Sequence, residues 1–168
     1  SDADSEDADT PCGITSEACT DGLESRSNCS EARTIGRRAG LITITGSLTG
    51  VGNDADPSCA GDEIDHFYRV YLLSGEDIEL TLHHQLDGFD GVLAVYRTND
   101  ACTPSSCDIE VGCQNAYHQS GFPERISYRA THEGWHTIVV DCRLTPLWSS
   151  SNYTLEVEFA CFGDCGCT

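Results

Sequence analysis

Apolar and polar residues alternate with a period of two from residue 40 to about residue 160, the pattern of half-buried β-strands. In the clearest segment, Ile78, Leu80 and Leu82 alternate with polar neighbours. Turn-forming sequences such as SGED at 74–77 and Glu133-Gly134 separate the segments. The pattern predicts seven short strands, over residues 41–48, 68–73, 78–83, 92–97, 126–131, 135–142 and 153–159. With no long stretch of helical period, an all-β antiparallel β-sandwich is expected.

The two ends of the chain lack this alternation. Residues 1–10 carry five acidic residues and no basic one, a composition that is disordered in isolation. Residues 12–38 are rich in Ser, Gly, Cys and charge, which indicates irregular structure held by cysteines. We therefore divide the chain into an acidic, Cys-containing N-terminal arm at 1–39, a β-sandwich at 40–160 and a Cys-rich tail at 161–168.

The cysteine content points to an oxidising compartment. Eleven cysteines occur in 168 residues, and the cytosol keeps thiols reduced, so disulfides and export are expected. Because eleven is odd, at least one cysteine is free as a buried or blocked thiol, bonded to another subunit or bound to another group. The connectivity stays open among Cys12, Cys19, Cys29, Cys59, Cys102, Cys107, Cys113, Cys142, Cys161, Cys165 and Cys167.

The charge and hydropathy exclude several classes of function. A net charge of −19 opposes binding to nucleic acid, whose phosphates require a basic surface. No run approaches the roughly 18 apolar residues of a membrane span. Since the sequence begins with Ser1 rather than Met, we expect a mature extracellular or cell-surface chain from which a targeting segment has been removed.

Several motifs carry a family resemblance. They include ITGSLTG at 44–50, DHFYRV at 65–70, FDGVLAVY at 89–96, GWHTIVV at 134–140 and SNYTLEV at 151–157. Their order resembles the bacterial pre-peptidase C-terminal domain, a jelly-roll-like β-sandwich of about seven to eight strands. The chain departs from that family in its cysteines, its insert at 99–123 and its N-terminal arm. The resemblance implies an appendage of exported enzymes, although no enzyme domain accompanies it here.

The resemblance also implies a calcium site, because some members of the family bind calcium through acids near the strand starts. Calcium takes six to eight oxygen ligands, and Asp-rich loops supply them. The candidates carried over are Asp62, Glu63, Asp65, Asp87 and Asp90. Solvated acidic loops are the alternative explanation in so acidic a chain.

One motif suggests zinc chemistry. Residues 132–136 read HEGWH, which matches the HExxH of zinc proteases. That spacing works on a helix, whereas Gly134 and the flanking strand patterns indicate a turn. Chance composition is therefore the favoured explanation for His132 and His136. His83 and His84 on one strand point to opposite faces, which opposes a joint ligand role.

The remaining signals are weaker. Asn28 and Asn152 lie in glycosylation sequons. Core packing is favoured over a ligand-binding platform for the aromatic residues Tyr96, Tyr117, Phe122, Trp135 and Trp148. No nucleophile elbow, P-loop or dinucleotide fingerprint is present.

These observations favour a non-catalytic exported structural protein. It would be a homopolymeric subunit of an extracellular or surface assembly such as a filament. Its N-terminal arm would pack on, or add a strand to, the next subunit, and disulfides would lock the joint. The alternative is a calcium-dependent accessory module that binds a carbohydrate or another extracellular protein. A zinc hydrolase is a distant third hypothesis.

Overall fold

The chain folds into two β-sheets. The computed structural model describes residues 29, 32–37, 40–48, 54–60, 64–84, 90–97, 107, 109–116, 122–143 and 152–160. Within these ranges there are nine strands and no α-helix. The strands are β1 (Arg33–Thr34), β2 (Leu41–Ser47), β3 (Asp65–Leu72), β4 (Asp77–His84), β5 (Gly91–Arg97), β6 (Ile109–Gln114), β7 (Glu124–Arg129), β8 (Gly134–Cys142) and β9 (Asn152–Ala160). The predicted all-β sandwich is confirmed.

One sheet has five strands in the order β1-β3-β8-β5-β6, and the other has four in the order β2-β9-β4-β7. Every neighbouring pair is antiparallel except β1 and β3. All seven predicted strands are present. The alternation did not predict β1, which has only two residues, or β6, whose residues are all partly buried and show no two-sided pattern.

The main core lies between the two sheets. Each sheet contributes the apolar residues of one face, and Tyr68, Leu80, Leu93, Ile138 and Leu155 are almost fully buried. In the central strands β3 and β8 every residue is buried. The half-buried prediction is therefore wrong for β3, since the outer face of its sheet is covered as well.

Cysteine-rich segments supply that cover. A second apolar cluster on the outer face joins Phe67, Ala94, Tyr96 and Val139 of the sheet to neighbours that include Ala32, Ala55, Cys29, Cys107 and Cys113. Two disulfides run through this layer. Cys29–Cys107 and Cys59–Cys113 link residues 78 and 54 positions apart, with Cα–Cα distances of 6.1 and 5.8 Å. Disulfides thus hold a third layer against the sandwich.

The other cysteines do not enter these two bonds. Cys142 is buried in the main core. The six remaining cysteines lie outside the described residues: Cys12, Cys19, Cys102, Cys161, Cys165 and Cys167.

Part of the predicted N-terminal arm packs into the sandwich. The Ile35 amide donates to the Arg69 carbonyl at 2.9 Å, and the Ile35 side chain joins the main core. Arg37 forms an ion pair of 2.5 Å with Glu76, and both side chains are buried. The division of the chain into arm, sandwich and tail stays a prediction. The described residues contain no helix that is long and apolar enough to cross a membrane.

Candidate functional site

The edge strand β2 is the most unusual surface of the sandwich. It lies at one end of the four-stranded sheet and pairs with β9 on one side. Among the described residues, no strand pairs with its other side. Its sequence, LITITGS, contains no charge and no proline, and Leu41 is 54% exposed. Soluble proteins usually protect such an edge with charges, prolines, bulges or short strands.

The other edges carry such protection. Strand β1 has two residues, and β6 pairs with β5 across an irregularity in register. Strand β7, with the sequence ERISYR, carries three charged residues. Within the described chain, β2 is the long edge without a protective feature, so it is the site where another strand would add with least hindrance.

An open groove of about 500 Å³ lies beside the end of β2. It is lined by Thr45, Gly46, Ser47, His83, His84, Asn152, Tyr153 and Thr154. The groove therefore adjoins the edge and extends its surface across the ends of β9 and β4.

Gly46 shapes the floor of this groove. A Cβ atom at this position would lie 2.4 Å from Cζ of Tyr153, its cross-strand neighbour. The Tyr153 hydroxyl is hydrogen-bonded to Nδ1 of His66 and to the hydroxyl of Tyr68, both at 2.7 Å. Because these bonds hold the ring in place, only glycine fits opposite it.

The two histidines of β4 point to opposite faces, as strand geometry predicts. His83 lies 2.9 Å from a Glu156 carboxylate oxygen on the solvent face. The His84 ring lies on the other face, where a Cβ on Gly91 would approach it to 2.8 Å. The pair therefore does not bring two ring nitrogens to one metal ion.

Asp65 is the candidate calcium ligand whose environment the structure describes most fully. It is completely buried, and its Oδ2 accepts hydrogen bonds from the Ala55 and Asp54 amides at 2.7 and 3.1 Å. Its Oδ1 accepts none from the described residues. Burial raises the pKa of Asp65 to about 6; the charge of Asp54 adds to this effect, and the two amide hydrogen bonds oppose it. Asp141, also buried, is the cross-strand neighbour of Asp65 on β8.

The calcium site as a whole stays a prediction. Asp62, Glu63 and Asp87 lie outside the described residues, and Asp90 is buried at the start of β5. Within the part of the chain that the structure describes, no three His, Cys, Asp or Glu side chains are grouped so that they could hold a metal ion.

The HExxH segment forms a bend followed by a strand, so its histidines do not share a helical face. Residues 131–133 form the bend, and β8 begins at Gly134, whose φ of 143° favours glycine. His136 is buried: its Nδ1 donates to the Gly134 carbonyl at 3.0 Å, and its Nε2 lies 3.2 Å from the Tyr128 hydroxyl. Burial lowers its pKa. His132 is exposed and lies 2.7 Å from an Arg97 nitrogen.

The asparagines of the sequons and the predicted aromatic residues lie in different surroundings. Asn152 is exposed beside the groove, and Asn28 lies outside the described residues. Tyr96 and Trp135 are buried, and Trp135 packs edge-on against Tyr71 with ring centroids 5.4 Å apart. Phe122 is 49% exposed. Tyr117 and Trp148 lie outside the described residues.

No protein-family model and no curated protein matches the sequence. Solved structures do show similar folds. The pre-peptidase C-terminal domain of a collagenase from Bacillus anthracis is 18% identical, with a TM-score of 0.47, 77% of this chain covered and 95% of that one. CorA, a surface-associated copper-binding protein of Methylomicrobium album BG8, is 11% identical, with a TM-score of 0.48 and coverages of 79% and 98%. PliG, a periplasmic inhibitor of g-type lysozyme from Aeromonas hydrophila, is 9% identical, with a TM-score of 0.44 and coverages of 76% and 95%.

The pre-peptidase C-terminal domain, the family that the motifs resemble, is thus represented among these structures. Sequence identities this low bear on the fold alone. The ligands and partners of these three proteins are therefore not assigned to this chain. The two disulfides indicate an exported protein.

Proposed function

We propose that this chain is a non-catalytic exported protein that serves as a subunit of an extracellular or cell-surface assembly. The observation that carries the proposal is the β2 edge, seven uncharged residues whose outer side has no strand beside it in the described chain. Such an edge promotes aggregation in a protein that acts alone and is useful in one that assembles.

Strand addition is the physical mechanism. A strand that adds to β2 gains a row of main-chain hydrogen bonds, and its side chains contact those of β2 on both faces. Thr43 and Thr45 are exposed on the solvent face of β2, so neither charge nor bulk opposes the approach. The N-terminal arm of another subunit and a strand of its sandwich are both candidates for the added strand.

The charge of the chain sets the conditions for assembly. Two subunits of net charge −19 repel each other at low ionic strength. At about 0.15 M salt this repulsion is screened beyond roughly 8 Å, while short-range strand pairing is unaffected. Self-association should therefore strengthen as salt rises from low to physiological concentration.

A lysine placed on the β2 edge tests the proposal. In Thr43→Lys the new ammonium group lies opposite Glu156 within the sheet, so the fold keeps a favourable cross-strand pair while the edge gains a charge. The matched control is Ser74→Lys, which adds the same charge at an exposed residue in the turn between β3 and β4, away from both edges of the four-stranded sheet. Light scattering and native mass spectrometry without reductant would report the oligomeric state.

We expect oligomers of the wild-type chain, and monomers or a tenfold weaker association for Thr43→Lys. A wild-type chain that stays monomeric up to high concentration at physiological salt would overturn the proposal. So would equal association of wild type and Thr43→Lys. Oligomers that fall to monomers only on reduction would show that the covalent joint, rather than the β2 edge, holds the subunits together.

A calcium-dependent accessory module is the second candidate, and the buried Asp65 supports it. A fully buried carboxylate with one oxygen lacking a hydrogen bond is unfavourable unless it is protonated or balanced by a cation. Calorimetric titration with calcium, with magnesium as control, would test it on wild type and Asp65→Asn. Calcium binding that Asp65→Asn abolishes would favour this candidate, and no heat of binding in the wild type would remove it.

A further inference from the structure

We propose that the strand added to β2 is β7 of a second copy of this chain, so that subunits join head to tail through their four-stranded sheets. This inference rests on the proposed function and names the partner surface. Two independent features of the four-stranded sheet support it: strand direction and charge.

Strand direction allows the joint. The sheet has four strands, and each is antiparallel to its neighbours in the order β2-β9-β4-β7. Strands β2 and β7, at the two edges, therefore run in opposite directions. When a second copy is shifted along the sheet without being turned over, its β7 lies antiparallel to β2 of the first, and the sheet continues.

The charges on the solvent face are complementary across this joint. In one row of the sheet Thr43 pairs with Glu156, Glu156 with Thr81, and Thr81 with Arg125. An unstaggered joint sets Arg125 of the second copy beside Thr43, two strands or about 10 Å from the Glu156 backbone. Long side chains span that distance. Both Arg125 and Arg129 are exposed on β7, in a chain with only nine basic residues against 28 acidic ones.

A symmetric joint between two β2 strands lacks this attraction. It would set the Glu156 and Glu158 side chains of both copies on either side of the seam with no arginine between them. Since the chain is already strongly acidic, contact between β7 and β2 is the favoured arrangement.

Such a joint uses different surfaces on its two sides and does not close on itself, so it makes open chains of subunits. The right-handed strand twist would rotate each subunit relative to the last and give a helical filament. In this joint the added strand is β7. It is therefore distinct from a joint in which the N-terminal arm of the next subunit adds to β2.

Charge reversal tests the joint in the full chain with its disulfides intact. Arg125→Glu should weaken self-association at least tenfold, and Glu156→Arg should do the same. The chain that carries both changes restores the opposite-charge pair and should regain most of the association. Arg33→Glu is the matched control, since it makes the same change at an exposed position on the other sheet. Non-reducing thermal unfolding of each variant would show that the sandwich is intact.

The outcomes separate this inference from the proposed function. If Thr43→Lys blocks assembly while Arg125→Glu behaves like Arg33→Glu, another strand occupies β2; the inference fails and the proposed function stands. Closed dimers without larger species would show the symmetric joint and also overturn the inference. If the wild type never associates, both fail. Restoration by the double charge reversal is the result that supports the β7–β2 joint.

Discussion

Replacing Gly46 with alanine should destabilise the sandwich out of proportion to one added methyl group. The new Cβ would lie 2.4 Å from both Cζ and the hydroxyl oxygen of Tyr153. That ring is 3% exposed and is held by hydrogen bonds to His66 and Tyr68, so it cannot move aside without breaking them. Overpacking typically costs about 1–3 kcal/mol, and each lost hydrogen bond adds about 1 kcal/mol.

The expected loss is therefore about 2–4 kcal/mol in the free energy of unfolding. For a chain of this size the midpoint of thermal unfolding would fall by roughly 5–15 °C. Urea and thermal unfolding followed by circular dichroism, both without reductant, would measure the change. The matched control is Gly36→Ala, where a Cβ would meet nothing within 4 Å, so that variant should unfold within about 1 kcal/mol of wild type.

The Tyr153 contact can be tested directly with a double-mutant cycle. Tyr153→Phe removes one of the three clashing atoms, the hydroxyl oxygen, together with its hydrogen bonds. Gly46→Ala should therefore cost less in the Tyr153→Phe background than in the wild type. A Gly46→Ala variant as stable as wild type, or a Gly36→Ala variant equally damaged, would refute the reasoning.

Three further predictions concern a buried carboxyl group, a disulfide and an ion pair. The pKa of Asp65 rises from 3.8 to about 6 on folding, so ionisation of Asp65 destabilises the fold as pH rises through that interval. In metal-free buffer Asp65→Asn should therefore raise the free energy of unfolding by up to about 3 kcal/mol at pH 7.5 and by little at pH 4. Equal effects at the two pH values would contradict this prediction. Serine at both Cys59 and Cys113 opens a link spanning 54 residues and should lower stability by about 4 kcal/mol in urea unfolding, and a loss under 1 kcal/mol would be inconsistent with it. Glu76→Ala breaks a buried ion pair and should lower stability by about 3–5 kcal/mol, against at most about 1 kcal/mol for Asp77→Ala at its partly exposed neighbour. Similar losses would show that burial does not decide the effect.

The candidate site was only partly predictable from the residues. The sequence identified LITITG as a strand, but its position at a sheet edge follows from the pairing order, which is not local information. Asp65 was identified as an acid before a strand, whereas its burial depends on the outer layer that covers the five-stranded sheet. The groove beside Gly46 joins residues more than 100 positions apart and left no signal in the alternation.

The sequence by itself determined the all-β fold and its turns, because period-two alternation and Gly-rich turn chemistry act between near neighbours. It also determined the expectation of disulfides, because cysteine is seldom so frequent in a reducing compartment. Only the tertiary structure decided which cysteines form disulfides, which strand lies at a sheet edge and which acidic residue is buried. Those properties depend on contacts between distant parts of the chain, and a local pattern of polar and apolar residues does not encode them.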